Sequence, residues 1–114
     1  MRELKFRAWD KEKKRFYHEP IGMYNHLPVN WQEFYDIQQF TGLKDKNGKE
    51  IYEGDIVRFR YNRQDKTGQV AYDTGGFWII GWLGILERMY AHPLEVIGNI
   101  YEHSYLLDTK EVEK

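Results

Sequence analysis

Four histidines, at positions 18, 26, 92 and 103, are the imidazoles available for metal binding or proton transfer. None stands at the i, i+4 or H-x-H spacing that places two rings on one metal, and each falls in or beside a turn signal, so no metal site is expected. The chain has no cysteine, which removes thiolate nucleophiles, disulfides and cysteine-ligated zinc or iron–sulfur clusters. Ser104 follows His103 directly, but strand neighbours point to opposite faces and no G-x-S-x-G elbow surrounds the serine. The pair is expected to open a short closing turn. Among the carboxylates, Glu50, Glu53, Asp55, Glu95 and Glu102 show no spacing that singles out a general acid and its partner. Asp55 is expected to make an Asx-type contact that fixes the turn before a strand. Glycines 75, 76, 81 and 84 match neither phosphate-cradling pattern and are expected to bend a curled sheet. No catalytic residue and no cofactor follows from these patterns, and the expectation is a protein that is not an enzyme.

One constellation remains, a basic aromatic surface. Arg58, Arg60, Arg63 and Lys66, with Lys44, Lys46 and Lys49 nearby in sequence, could contact phosphates while Tyr61 or Trp82 stacks on a base. Against this, Arg58 and Arg60 occupy the polar half of an alternating segment, five acids share the window 44–70, and the net charge is −1. Nucleic acid therefore ranks second among the expected partners. Four Trp, nine Tyr and six Phe exceed what one small core easily hides, and surplus rings are typical of interfaces. A homo-oligomer is the first expectation, with a host or phage protein as a further possible partner.

These residues must be positioned by a chain of 114 residues, the size of one domain with one core. Apolar residues make up 41% and charged residues of mixed sign 31%, a composition that folds. No apolar run approaches the roughly 20 residues of a membrane helix, and the charged start has no apolar segment behind it. The expectation is a protein of the cytoplasm, with no membrane partner.

Period-two alternation dominates the chain. Leu4, Phe6 and Ala8 alternate with Lys5, Arg7 and Trp9, which predicts one strand of an N-terminal hairpin with one packed and one wet face. Asp10 to Lys14 should form its reversal, with Arg15 to His18 returning. Glu19 to Asn30 reads as a loop. Trp31 to Phe40 carries both helical and strand spacing, and a strand from Phe34 to Phe40 is favoured. Asn47-Gly48 marks a tight reversal and Gly54 a bend of positive φ. Strands are expected at Ile56 to Tyr61, Gly68 to Asp73, Phe77 to Trp82 and Leu94 to Tyr101. A polar loop should span Asn62 to Thr67, and a helical turn Leu86 to Ala91. Val57, Phe59, Val70, Ile79, Val96 and Ile100 should form one core.

The fold class expected is mainly β, with an N-terminal β-hairpin packed against a C-terminal small β-barrel. The division is 1–40 for the hairpin and connecting segment, 41–108 for the barrel module and 109–114 for a charged tail, all in one compact unit.

Three blocks carry a family resemblance. Arg2-Glu3-Leu4-Lys5-Phe6-Arg7-Ala8-Trp9-Asp10, the stretch from Phe40-Thr41-Gly42-Leu43-Lys44-Asp45-Lys46-Asn47-Gly48 through Lys49-Glu50-Ile51-Tyr52-Glu53-Gly54-Asp55-Ile56-Val57, and Glu95-Val96-Ile97-Gly98-Asn99-Ile100-Tyr101-Glu102 resemble the blocks of the YopX-like proteins of phages and prophages, in family order. The resemblance implies a phage or prophage setting, an SH3-like form for the barrel after Gly54-Asp55, and self-association. It transfers no catalytic residue. The resulting expectation is an accessory protein, not an enzyme, that acts through binding or self-assembly in the host cytoplasm.

Overall fold

The N-terminal alternation forms the expected antiparallel hairpin, β1 (Phe6–Asp10) and β2 (Arg15–Tyr17). The computed structural model describes residues 5–18, 29–61, 63–73, 76–80 and 93–107. Asp10 closes the hairpin by accepting the N–H groups of Glu12 (3.0 Å) and Lys13 (2.9 Å) through one carboxylate oxygen. The expected wet face is a correction: Arg7, Ala8, Trp9 and Asp10 are all buried. β1 is an interior strand with β2 on one side and β3 on the other, and Arg7 has a buried counter-charge that alternation alone does not register.

β3 (Tyr35–Lys44) pairs antiparallel with β1, Phe6 opposite Gln39 and Asp10 opposite Tyr35. The helical spacing at Trp31 survives as a single 3-10 turn, Trp31–Glu33, which brings the chain onto the sheet. β3 runs four residues beyond the expected end at Phe40, through Gly42 at φ 88° and an irregularity in its pairing with β4 (Glu50–Tyr52). It therefore crosses the 40/41 boundary, and β4 belongs to the N-terminal sheet of order β2-β1-β3-β4. The Asn47-Gly48 reversal joins β3 to β4, with Gly48 at φ 83°. Asp45 holds it together. One carboxylate oxygen accepts the N–H of Asn47 (2.8 Å) and Lys49 (2.9 Å), and the other accepts Val96 N–H (2.9 Å), which fastens the hairpin to the last strand. Burial works against the Asp45 charge, but the three N–H groups outweigh it and hold the carboxyl below its usual range.

The second sheet has the order β7-β6-β5-β8, with β5 (Asp55–Tyr61), β6 (Gln64–Asp73), β7 (Gly76–Ile79) and β8 (Glu95–Asn99), all antiparallel. The structure is mainly β as expected; its second sheet is a curled half-barrel with β7 and β8 as edges, and pairing that would close an SH3-like barrel is absent among the described residues. The polar loop expected over Asn62 to Thr67 is a correction. Tyr61 pairs with Gln64, and Gln64 to Thr67 is strand. Their polarity reflects cross-strand partners, since Asp65 stands opposite Arg60. The expected helical turn at Leu86 to Ala91, the charged tail and most of the loop from Glu19 lie outside the described residues.

Ile51, Val57, Phe59, Val70, Phe77, Ile79 and Leu94 form the buried core, with Leu43 and Val96 packed against it. Ile51 and Leu43 come from the first sheet and the rest from the second sheet or its approach, so the core joins the two. Ile100 is a correction: β8 stops at Asn99, whose side-chain oxygen accepts the N–H groups of Tyr101 and Glu102 at 3.0 Å each and turns the chain out of the strand. Phe59 is 2% exposed. Phe59→Ala is expected to cost about 3–5 kcal/mol in denaturant unfolding; a loss below about 1 kcal/mol would show that the site collapses around the deletion.

Candidate functional site

The four basic residues singled out from the sequence do not converge. Arg58 and Arg60 lie on one face of β5, and each meets an acid directly across the ladder: Arg58 donates to Glu95 at 2.5 Å and Arg60 to Asp65 at 3.1 Å. Arg63 sits exposed in the β5–β6 reversal at φ 65°. Lys66 is opposite Phe59 and so shares the inward face. The structure thus splits the set between two faces and a turn. Trp82 lies outside the described residues.

The candidate carboxylates are equally dispersed. Glu50 pairs with Lys5, which holds its carboxyl below the usual range, and it accepts the Tyr52 hydroxyl at 3.2 Å. Burial first, and then the Glu50 charge, pushes the Tyr52 phenol up to about 12. Glu95 holds Arg58, and Glu102 accepts from Asn99 at 3.0 Å. Asp55 fixes the turn before β5 as expected, but by reaching back three residues to accept Tyr52 N–H (2.8 Å) and not through an Asx-type bond to a following N–H, and its second oxygen takes Arg7 at 2.7 Å. Burial pushes the Asp55 carboxyl up, against the pull of Arg7 and of the Tyr52 N–H.

Histidines 26 and 92 lie outside the described residues. His18 packs edge-on against Tyr52, and burial with the nearby Arg7 charge depresses its ionisation. His103 accepts Asn99 N–H at Nδ1 (3.1 Å) and opens the closing turn in which Leu106 and Leu107 donate back to His103 and Ser104. Among the described residues no three His, Asp or Glu side chains are grouped to hold a metal ion.

What the structure does assemble is a latch and a cleft where the two sheets meet. The Arg7 guanidinium donates to Asp55 and, through Nε, to Gln38 Oε1 at 2.8 Å, and it lies over the rings of Phe16 (4.1 Å) and Tyr52 (4.6 Å). Gln38 reaches onward to the Tyr101 hydroxyl at 3.4 Å, and the Tyr101 ring stacks on Trp9 at 4.7 Å. Beside the latch a cleft of about 320 Å³ opens. Asp36 and Gln38 reach it as alternate residues of β3, Glu53 and Gly54 from the β4–β5 turn, Gln69 and Tyr72 from β6, and Tyr101 from the turn after β8.

Gly54 makes this approach possible. Its N–H donates to Val70 O (2.7 Å) and its carbonyl accepts Ile100 N–H (3.0 Å), so three segments cross there. Sequence spacing contains part of this site, because Gly54 reads as a bend and Glu53 as a candidate acid. Asp36, Gln38, Gln69 and Tyr72 carry no signal of their own, since they converge only through pairings between distant strands. The period-two placement of Asp36 and Gln38 on one strand is the single trace available.

The fold and site define a two-sheet, antiparallel β-protein with a polar cleft at the seam. A family model described as YopX protein matches residues 21–108, and the chain belongs to the YopX family. The central and C-terminal blocks that carry the resemblance lie inside that span, and the N-terminal block lies before it. Among solved structures, the chain is similar to the crystal structure of protein EF1440 from Enterococcus faecalis, with 31% identity, 94% of this chain and 99% of that chain covered, and a TM-score of 0.72. No curated protein matches the sequence. No helix among the described residues is long and apolar enough to cross a membrane.

Proposed function

We propose that this protein is a non-enzymatic accessory protein that acts through binding as a homo-oligomer, in the cytoplasm of a host cell carrying the phage or prophage. The observation that carries the binding reading is the use made of its ionisable groups. Glu50, Glu95, Glu102, Asp45 and Asp55 are each tied to a scaffold partner, whereas the inter-sheet cleft gathers polar side chains around open space. Self-association is supported by large apolar side chains left at the surface, among them Phe34 (41% exposed), Tyr72 (51%), Ile80 (55%) and Tyr105 (60%). The phage setting is supported by the family resemblance.

Light scattering at micromolar concentration is expected to give a mass above the 13.9 kDa of one chain, and the mass should persist at raised salt because apolar contacts are not screened. A monomeric mass would remove the oligomer. Salt-sensitive oligonucleotide binding lost in Arg58→Ala/Arg60→Ala would instead put nucleic acid first; the pairing of both arginines with acids speaks against it.

A further inference from the structure

The chemistry of the cleft is one-sided. Asp36 and Glu53 bring carboxylates, Gln69 an amide and Gln38 an amide whose oxygen Arg7 already holds, and neither Lys nor Arg lines it among the described residues. Glu53 gives one oxygen to Gln39 N–H at 2.9 Å, and the other has no partner among the described residues. The cation near Asp36 is Lys11, at 3.5 Å with both side chains more than two-fifths exposed, a loose contact. Arg7 stands behind the wall but is consumed by Asp55 and Gln38. The Tyr101 phenol shares this surrounding: its ionisation is pushed above the usual tyrosine range by burial first and then by the charge of Asp36 and a hydrogen bond to it, with Arg7 opposing and Glu53 adding to the rise.

We infer that this cleft receives an arginine side chain presented by a protein partner. A guanidinium is planar, permanently charged and carries five N–H donors in a fixed fork, which suits two carboxylates arriving from separate elements, Asp36 from β3 and Glu53 from the β4–β5 turn. Tyr72, half exposed, also lines the cleft, with its ring set edge to face against Phe77 at 5.0 Å. The volume lies at the low end of ligand pockets, large enough for one side chain. Free arginine fits less well than a side chain within a peptide, because its α-carboxylate would stand beside two like charges and its α-ammonium would compete with the guanidinium for them. This inference deepens the binding reading above and does not depend on the oligomeric state.

The test is a titration of the full chain with N-acetyl-arginine amide, followed by the amide resonances of Gly54, Gln38 and Gln69 in ¹H–¹⁵N spectra. Saturable shifts centred on the cleft are expected. The uncharged N-acetyl-citrulline amide should give none, and free arginine should bind several-fold more weakly. Asp36→Asn/Glu53→Gln keeps both side-chain shapes and the acceptor for Gln39 N–H, and it should weaken binding by about tenfold or more with the rest of the spectrum unchanged. Equal binding of the citrulline compound, equal binding of N-acetyl-lysine amide, or an unaltered affinity in the double variant would each overturn the assignment. A chain that ignores all these probes yet scatters as an oligomer would remove the arginine site and leave self-association standing.

Discussion

Replacing Arg7 by methionine is expected to destabilise the protein by about 3–5 kcal/mol at neutral pH, because it leaves the Asp55 carboxylate buried without its counter-charge. Asp55 is 2% exposed and Arg7 6%, so water cannot take the place of the lost partner. Methionine preserves an unbranched side chain between Phe16 and Tyr52, which confines the loss mainly to charge and hydrogen bonding. The expected pH dependence has a definite sign. Burial already holds the Asp55 carboxyl above its ordinary value with Arg7 present; without Arg7 its folded pKa rises further. A carboxyl raised on folding is penalised at pH above its folded pKa, and the penalty fades as pH falls and the group protonates in both states. The cost of Arg7→Met should therefore be largest near pH 7 and shrink toward about pH 5 or below. Urea unfolding at several pH values measures this. A cost below about 1 kcal/mol, or one that does not change with pH, would mean that the latch does not constrain the junction of the sheets.

The latch also shows how much of the fold is legible in the sequence. Alternation places β1, β5 and the start of β3 correctly, since each buries at least one face and the period of two survives whatever covers the other, and the reversal after Asp10 returns the chain as β2. It fails on which side of β1 is wet, because an arginine reads as solvent-facing unless its buried partner is known, and Asp55 lies 48 residues further along the chain. The same limit explains Gln64 to Thr67. Its polar run looks like a loop until the Asp65–Arg60 pairing across the ladder is seen. Ile100 fails for a local reason, the Asn99 side chain that ends β8 one residue earlier.

For the candidate site, residue type is a poor guide in a chain whose charges mostly serve the scaffold. The arginines with the strongest sequence signal, Arg58 and Arg60, are neutralised by neighbours in the sheet. The cleft draws on β3, β6, the β4–β5 turn and the turn after β8, and its walls come together only through pairing between strands distant in sequence. Turn chemistry is the more faithful signal. Glycine at positive φ is required by the backbone itself, and that requirement is local.

Gly54→Val is the second large effect expected, about 3 kcal/mol or more, from two sources acting together. The backbone sits at φ 87°, where a β-branched residue is strained. The N–H bond to Val70 and the carbonyl bond from Ile100 keep it from relaxing to negative φ. The first side-chain atom would then fall 1.9 Å from Gln38 Nε2 and 2.7 Å from Cδ. Gln38 is 4% exposed and anchored to Arg7 at its other amide atom, so it has little room to withdraw. Gly48 supplies the control, because it has nearly the same φ, 83°, with nothing within 4 Å of where a Cβ would stand. Gly48→Ala should lose only the conformational part, about 1–2 kcal/mol, while Gly54→Ala should lose that and the steric part. Denaturant unfolding of the two alanine variants side by side separates the contributions. If Gly54→Ala costs no more than Gly48→Ala, the crowding against Gln38 is not felt; if it costs more, the same contact that excludes a side chain at Gly54 fixes the Gln38 amide between the latch and the cleft.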